Sequence, residues 1–307
     1  MKKFFQYVCY LFYRIAIFGF RITPWCVLYF WSDVVAFLMF RVFRYRVKVV
    51  DKNLEMCFPD KPKEYRDEIK KKYYPYMVDL MLESLKGYTY PAEKLRKRLV
   101  YDDLTIPEKL FSEGKSMIVA MGHHGNWEWT TQTVKYEHKH KFCAIFKPMK
   151  NQYISNFTVK CREQRGTHFC PIEKTRFAFG MREKFPTGFC MAGDQNTPNT
   201  KRAIWVNFFG METACLPGIE FYAKLFDLPV IFMEIRREKR GYYRCYVSMI
   251  AENPSQCAPG EITQRYMSKL EEVMRNQPET WLWSHKRWKA TKDQNGEIHY
   301  GDNYRGM

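Results

Sequence analysis

A histidine and a glutamate five positions apart are the clearest candidates for catalysis in this chain. His123 and Glu128 bound the run 123–128, which follows a short apolar stretch at 117–122. A hydroxyl group is a poor nucleophile at neutral pH until a base such as imidazole removes its proton. A carboxylate can hold that imidazole in one tautomer and stabilise its charged form. The pair therefore predicts an enzyme in which an oxygen attacks an activated carbonyl.

The residues of this run also have structural interpretations. His123 could be a surface histidine. Glu128 could be a glutamate in the first turn of a helix, where the helix dipole stabilises a negative charge. Gly125 permits either a tight turn or the close approach of a substrate. Asn126 is suited to cap the helix that should follow, and His124 is either a ligand contact or a hydrogen-bonded neighbour of the base. The run alone leaves these alternatives open.

Further polar candidates lie beyond the run. Asp194 and Gln195 follow a strand predicted at 187–192, and Arg165 precedes Gly166. Each could also be a turn residue or a solvated surface side chain. The pattern His-Glu-x-x-His is absent from the sequence, and the cysteines and other histidines lack the spacing of metal ligands. We therefore expect no metal site.

Strands and helices alternate around these candidates. Apolar stretches predict strands at 116–121, 142–146, 170–172, 187–192, 229–235 and 242–250. Helices are predicted at 63–87, with a break or kink at Pro75, and at 152–165, 174–184, 216–227 and 263–276. The alternation is typical of an α/β fold with a mostly parallel central sheet flanked by helices. His123 and Asp194 then each follow the carboxyl end of a strand, where such sheets place their sites.

Two strongly apolar segments begin the chain. They span 4–20 and 22–40 and carry one charge each, Arg14 and Asp33. They predict either one tilted span of about 20 residues or a helical hairpin that turns near Pro24 and enters the leaflet without crossing it. In a hairpin the two charges could pair. A buried hairpin in the core of a soluble protein is the third alternative.

Basic residues after these segments predict the orientation of the chain. The segments are followed directly by Arg41, Arg44, Arg46 and Lys48. Under the positive-inside rule, this places the remaining chain on the cytoplasmic side. We therefore predict a membrane anchor at 1–41 and a cytoplasmic-side catalytic domain at 42–307.

The charge and the motif content of the sequence indicate which kinds of molecule the protein binds. The 307 residues include 50 Lys and Arg against 33 Asp and Glu, and the resulting formal net charge of +17 favours anionic partners. The sequence lacks zinc-finger spacing, a basic region joined to heptads and an aromatic RNA-binding signature, so we expect no nucleic acid partner. The ten cysteines form no C-x-x-C pair, which indicates a reduced compartment.

Short motifs surround the catalytic run in a definite order. They are NLEMCFP at 53–59, FKPMKN at 146–151, Arg165-Gly166, Asp194-Gln195, FFG at 208–210 and a Trp, His and Arg pattern at 278–289. With the run 123–128, they make the chain resemble the bacterial lipid A biosynthesis acyltransferases. These are late acyltransferases of the lauroyl/myristoyl type, within the lysophospholipid acyltransferase superfamily. His124 stands where the family has an apolar residue, and Lys147 stands where many members have Arg.

The resemblance implies a glycerolphosphate acyltransferase-like fold, a His-Glu dyad and no metal or dissociable cofactor. His123 would remove a proton from an acceptor hydroxyl, which attacks the thioester of acyl carrier protein, while Glu128 orients the imidazole. Backbone N–H groups or a basic side chain would stabilise the oxyanion, and Arg165 is the candidate side chain. The expected acceptor is an anionic glycolipid, the lipid A disaccharide, at the cytoplasmic side of the inner membrane.

The remaining expectations concern substrate contacts and alternative functions. The resemblance and the strand-end positions make Lys147, Asp194, Asn126 and His124 candidates for substrate binding beside Arg165. One alternative function is the same chemistry on another amphiphile, such as an aminolipid or a mannosylated glycolipid. The other is a non-catalytic, membrane-anchored binding protein on the same fold.

Overall fold

The computed structural model describes residues 2–292 and 295–300. The last part of the predicted domain, 301–307, lies outside the described residues. The helices are α1 (Lys2–Ile22), α2 (Trp25–Phe37), α3 (Val47–Cys57), α4 (Lys63–Gly87), α5 (Ala92–Arg96), α6 (Thr105–Ser112), α7 (Trp127–Thr133), α8 (Gln152–Glu163), α9 (Thr175–Ala178), α10 (Gly218–Phe226) and α11 (Glu261–Asn276). A π-helical turn, Leu38–Val42, continues α2.

Strands account for most of the remaining regular structure. They are β1 (Leu99–Tyr101), β2 (Met117–Met121), β3 (Lys141–Phe146), β4 (Thr167–Pro171), β5 (Thr187–Ala192), β6 (Ile204–Phe208), β7 (Met211–Cys215), β8 (Val230–Lys239), β9 (Tyr242–Ala251), β10 (Ala290–Lys292) and β11 (Ile298–Tyr300). Short 3-10 segments are Val134–Tyr136, Ile172–Lys174, Phe179–Glu183, Thr200–Arg202, Pro254–Gln256 and Pro278–Thr280.

The central sheet is mostly parallel, which confirms the predicted α/β class. It has seven strands in the order β1-β9-β8-β2-β5-β3-β4, and β8–β9 is its antiparallel pair, as expected. All five residues of β2 are buried. Ile118 packs in a cluster with Leu270 of α11, whereas Val119 packs in another with Trp129 of α7. Helices therefore cover both faces of the sheet, as parallel sheets require.

Two parts of the fold differ from the sequence-based prediction. A separate four-stranded antiparallel sheet, β11-β10-β7-β6, was not foreseen. The helix predicted at 174–184 is instead α9 followed by the 3-10 turn Phe179–Glu183. Gly180 lies in this segment, and glycine disfavours a continuous helix because it loses more backbone entropy than other residues.

The N-terminal helices lie against the domain and carry exposed apolar side chains. Residues Trp25–Val42 form a helix with mean hydropathy 1.5, long and apolar enough to cross a bilayer. Phe12 of α1 and Phe30 of α2 are exposed. The interpretation of this region as a buried core hairpin is therefore wrong.

The two charges of these apolar helices do not pair with each other. Arg14 donates to the hydroxyl of Tyr10 at 2.9 Å, whereas Asp33 forms an ion pair with Arg240 at 2.7 Å. The suggested Arg14–Asp33 pair is wrong because each charge has a partner elsewhere. Asp33 is held by the β8–β9 turn, which is distant in sequence.

Candidate active site

The site is assembled where two adjacent parallel strands end. Met121, the last residue of β2, is paired in register with Ala192, the last residue of β5. His123 and Asp194 each follow two residues later, so they meet at the carboxyl edge of the sheet. The Nδ1 atom of His123 lies 2.7 Å from Oδ1 of Asp194, and the backbone N–H of His123 donates to Oδ2 at 2.8 Å.

Asp194 is a buried carboxylate with three N–H donors. The third is the indole N–H of Trp281, 2.9 Å from Oδ2. Burial alone would raise the pKa of Asp194, but the charge and hydrogen bonds of His123, with Trp281, hold that pKa well below its usual range. Asp194 is therefore an ionised acceptor at neutral pH.

The imidazole of His123 presents its second nitrogen to the site. Because an ionised Asp194 can only accept, Nδ1 of His123 carries a proton and Nε2 keeps its lone pair. The side-chain amide of Gln195 lies 3.3 Å from Nε2, and His123 is 22% exposed. Burial lowers the pKa of His123, but the Asp194 carboxylate outweighs burial, so the pKa is raised overall. Nε2 is thus the unprotonated nitrogen of a partly exposed imidazole and accepts from the Gln195 amide.

Glu128 lies near this pair but has a different partner. Nη2 of Arg162 lies 2.7 and 2.6 Å from the two carboxylate oxygens, and Nε lies 3.1 Å from the second. Among the described residues, no hydrogen bond joins Glu128 to His123. A guanidinium that binds both oxygens of a carboxylate forms a strong, charge-assisted pair, which keeps Glu128 from His123. This guanidinium belongs to α8, which comes later in the chain. The role of Glu128 as the orienting group stays a prediction.

The turn between β2 and α7 is fixed on several sides. Gly125 has a φ of +55°, and a Cβ atom there would overlap the carbonyl oxygen of Ile235. The hydroxyl of Tyr76 donates to the carbonyl of Gly125 at 2.6 Å. The side-chain oxygen of Asn126 accepts from the N–H of Trp129 at 3.1 Å and caps α7, as its position suggested. The turn therefore holds His123 in a defined position.

Comparison with known proteins gives these contacts a family context. The sequence profile of the family described as bacterial lipid A biosynthesis acyltransferase matches residues 2–290. The chain belongs to this family. It is an acyltransferase, and the family resemblance seen in the motifs is confirmed.

Individual relatives of the acyltransferase are distant. It is 22% identical to a lipid A biosynthesis acyltransferase of Haemophilus influenzae, over 78% of this chain and 75% of that protein. It is also 22% identical to the lipid A biosynthesis palmitoleoyltransferase of Escherichia coli, over 87% of this chain and 86% of the relative. A lipid A biosynthesis acyltransferase of Shigella flexneri gives the same figures.

Three expected substrate contacts of the acyltransferase lie in different surroundings. His124 is fully buried, and its Nε2 accepts from the N–H of Ile235 at 3.0 Å. Burial lowers the pKa of His124 to about 4, so its ring is neutral. Arg165 donates to the carbonyl of Tyr90 at 2.5 Å. Lys147 is exposed just beyond β3, at the same sheet edge as His123. Of these three, Lys147 is the one that faces solvent at this edge.

The closing motif at 278–289 supports the loop that carries Asp194. Trp281 donates to Asp194, and Nε2 of His285 accepts from the N–H of Asn196 at 3.1 Å. The buried guanidinium of Arg287 donates to the carbonyl of Ala214 at 2.8 Å. The sequence signal was present in the order Trp, His and Arg, but its partners could not be identified before the fold was known.

Glu83 is a buried carboxyl group that the sequence did not single out. It accepts from Asn126 at 2.8 Å, from Tyr243 at 2.8 Å and from Tyr29 of α2 at 2.9 Å. It therefore connects an N-terminal helix to the turn that follows His123. Burial, more than any other cause, raises the pKa of Glu83 to about 7.

Replacing Glu83 by glutamine should flatten the pH dependence of stability. A carboxyl whose folded pKa is raised stabilises the fold fully below its ordinary pKa of 4.5 and loses that contribution as pH rises through about 7. The loss amounts to about 3 kcal/mol. The free energy of unfolding of Glu83→Gln should therefore rise relative to that of wild type by about 3 kcal/mol as the pH increases from 4.5 to 8. Thermal unfolding in detergent measures this difference.

The control for this experiment is Glu64→Gln, on the exposed first turn of the same helix. It should leave the pH dependence as in the wild type. Parallel stability curves for wild type and Glu83→Gln would contradict the proposed titration of Glu83.

Proposed function

We propose that the enzyme transfers a fatty acyl chain from acyl carrier protein to a hydroxyl group of a lipid A precursor. The observation that carries the proposal is the partly exposed imidazole of His123, whose Nδ1 is held by a buried carboxylate so that Nε2 is left as the base. Family membership supports a lipid acceptor, and three relatives with lipid A in their names match most of the chain. The net charge of +17 suits both an acidic carrier protein and a phosphorylated acceptor.

The chemistry begins with His123 as general base. Nε2 accepts the proton of the acceptor hydroxyl while the hydroxyl oxygen attacks the thioester carbonyl carbon. The tetrahedral intermediate then collapses, the carbon–sulfur bond breaks, and the leaving thiolate takes the proton back from the imidazolium. Asp194 stabilises the imidazolium between these two steps, since its carboxylate lies 2.7 Å from Nδ1. The products are an ester and the free thiol of the carrier.

We assign the orienting role to Asp194 in this conformation. For Glu128 to take that role, as the His-Glu dyad requires, it would have to leave the bidentate ion pair with Arg162. Breaking a well-formed, partly buried pair leaves the guanidinium uncompensated and costs free energy. Glu128 instead supports the site through its negative charge, which adds a smaller contribution than Asp194 to the raised pKa of His123.

The oxyanion of the intermediate needs a donor close to His123. Arg165 does not suit this role well because Nη2 already donates to the backbone carbonyls of Gly87 and Tyr90. The Gln195 amide, which lies 3.3 Å from Nε2 of His123, is therefore our candidate donor. Lys147 supplies a positive charge at the same edge for the phosphate groups of the carrier or the acceptor.

The test is acyl transfer by the purified full-length protein in detergent. Radiolabelled acyl carrier protein thioester or acyl coenzyme A is the donor, and a lipid A precursor or an aminolipid is the acceptor. We expect labelled lipid A product, with the carrier protein as the better donor. Transfer exclusively to the aminolipid would instead support the other acceptor class, and no transfer to either would support the non-catalytic alternative.

We further propose that residues 1–41 anchor the domain 42–307 at the cytoplasmic face of the inner membrane. Phe12→Asp combined with Phe30→Asp should shift the protein from the membrane fraction to the soluble fraction. Both side chains are exposed, so the change removes no core packing, and each charge in the bilayer costs about 3 kcal/mol. Ultracentrifugation measures the shift, with circular dichroism as the check on folding.

The matched control introduces the same two charges away from the anchor. Ile172→Asp with Phe177→Asp also alters exposed apolar side chains and should leave the protein in the membrane fraction. Unchanged sedimentation of the Phe12 and Phe30 variant would show that the basic surface, rather than the apolar helices, binds the membrane.

A further inference from the structure

A basic cavity lies directly beyond the candidate membrane span. It has a volume of about 700 Å³ and is formed by the end of the π-helical turn, by α3 and by the first turns of α4. None of the residues discussed for acyl transfer lines it. We propose that this cavity binds the phosphate headgroup of an anionic phospholipid of the bilayer.

The charges that line the cavity leave it positive. Six cations and three carboxylates line it. Asp51 pairs with Lys70 at 2.5 Å, and Asp67 pairs with Lys70 at 2.8 Å and with Lys63 at 2.5 Å. Asp51 and Asp67 are therefore already compensated by cations of α4, and Glu55 is the remaining carboxylate against four further cations. The remaining positive charge is free to bind an external anion.

Three cations of the cavity have no acceptor within residues 2–292 and 295–300. They are Arg41, Arg44 and Lys71, and all three are exposed. Arg44 has a φ of +47°, a left-handed conformation that costs free energy in a non-glycine residue. Two guanidinium groups and one ammonium group together offer the donors that a phosphate diester accepts.

The position of the cavity favours a bilayer lipid as the occupant. The apolar span ends at Val42, and the apolar side chains of Phe37 and Phe43 are exposed beside Arg41 and Arg44. Cations at the end of a span lie at the depth of the lipid phosphates, while exposed aromatic rings contact the acyl chains. The volume also exceeds that of a single phosphate ion and accommodates a glycerol-containing headgroup.

The test measures lipid binding by the full-length protein in detergent, without any acyl donor. Phosphatidylglycerol and phosphatidylcholine are titrated separately, and bound lipid is counted by native mass spectrometry. Wild type should prefer phosphatidylglycerol, and the triple variant Arg41→Gln, Arg44→Gln, Lys71→Gln should weaken that binding by about 100-fold. The control Lys97→Gln, Arg176→Gln, Lys184→Gln removes the same charge from exposed sites outside the cavity and should bind as wild type.

The outcomes separate the possible sources of the phosphate group. Unchanged phosphatidylglycerol binding by the triple variant overturns the proposal. A loss of affinity for the lipid A precursor with phosphatidylglycerol binding intact also overturns it, because the cavity would then serve the acceptor. Displacement of phosphatidylglycerol by millimolar inorganic phosphate would indicate a free-anion site instead. Acyl transfer is not measured, so the result is independent of the proposed reaction.

Discussion

His123→Gln should reduce kcat for acyl transfer by about a thousandfold, within the range of general base catalysis. The glutamine amide can still donate to the buried carboxylate of Asp194, which limits the structural damage, but it cannot accept a proton at the position of Nε2. His123→Ala should lose at least as much activity and also some stability, because it leaves Asp194 without its ring partner. Initial rates with saturating donor and acceptor measure the loss.

The matched control is His168→Gln, an exposed histidine of β4 that lies outside the site. Its kcat and thermal stability should equal those of wild type. Turnover near that of wild type in His123→Gln, with the fold intact, would contradict the assignment of His123 as the base.

The second large effect is expected at Asp194. Asp194→Asn should lower kcat by about 10³-fold or more because the amide carries no charge to stabilise the imidazolium and does not enforce one tautomer. The acid limb of the pH–rate profile should also move to lower pH. Burial lowers the pKa of His123 and the Asp194 carboxylate raises it, so removing that charge leaves burial dominant.

Glu128→Gln separates the two candidate carboxylates. We expect a loss in kcat below about tenfold and a smaller movement of the pH profile than in Asp194→Asn, because Glu128 is engaged by Arg162. NMR titration of the His123 ring measures the pKa of that ring. A carboxylate with a purely structural role would leave this pKa unchanged when it is replaced by its amide. A severe loss in Glu128→Gln with a mild one in Asp194→Asn would support the His-Glu dyad instead.

The comparison of sequence and structure is clearest at these carboxylates. Because His123 and Asp194 each follow a predicted strand, both were expected at the carboxyl edge of the sheet, and both lie there. It did not predict their contact, because the order of strands, with β2 beside β5, is not encoded in either local segment. Glu128 was predicted as the partner because it is near His123 in sequence and because the resemblance implies a His-Glu dyad, whereas the structure pairs it with Arg162 of a later helix.

Buried polar residues were the other feature that local pattern could not predict. Helix α4 has the predicted bounds 63–87 and runs through Pro75 without a break, but local pattern did not indicate that Asp79 and Glu83 are buried in it. Asp79 accepts from Ser32 at 2.6 Å and Glu83 accepts from Tyr29, both residues of α2. Such partners become visible only when helices that are distant in sequence pack together.

The most direct test is mass spectrometry of lipid A from a strain lacking the gene, complemented with wild type, His123→Gln or Asp194→Asn. We expect the deletion strain to lack one acyl chain, wild type to restore it, and neither variant to restore it at matched protein levels. Unchanged lipid A in the deletion strain, or full restoration by His123→Gln, would contradict the assignment of this chain as a lipid A acyltransferase that uses His123 as its base.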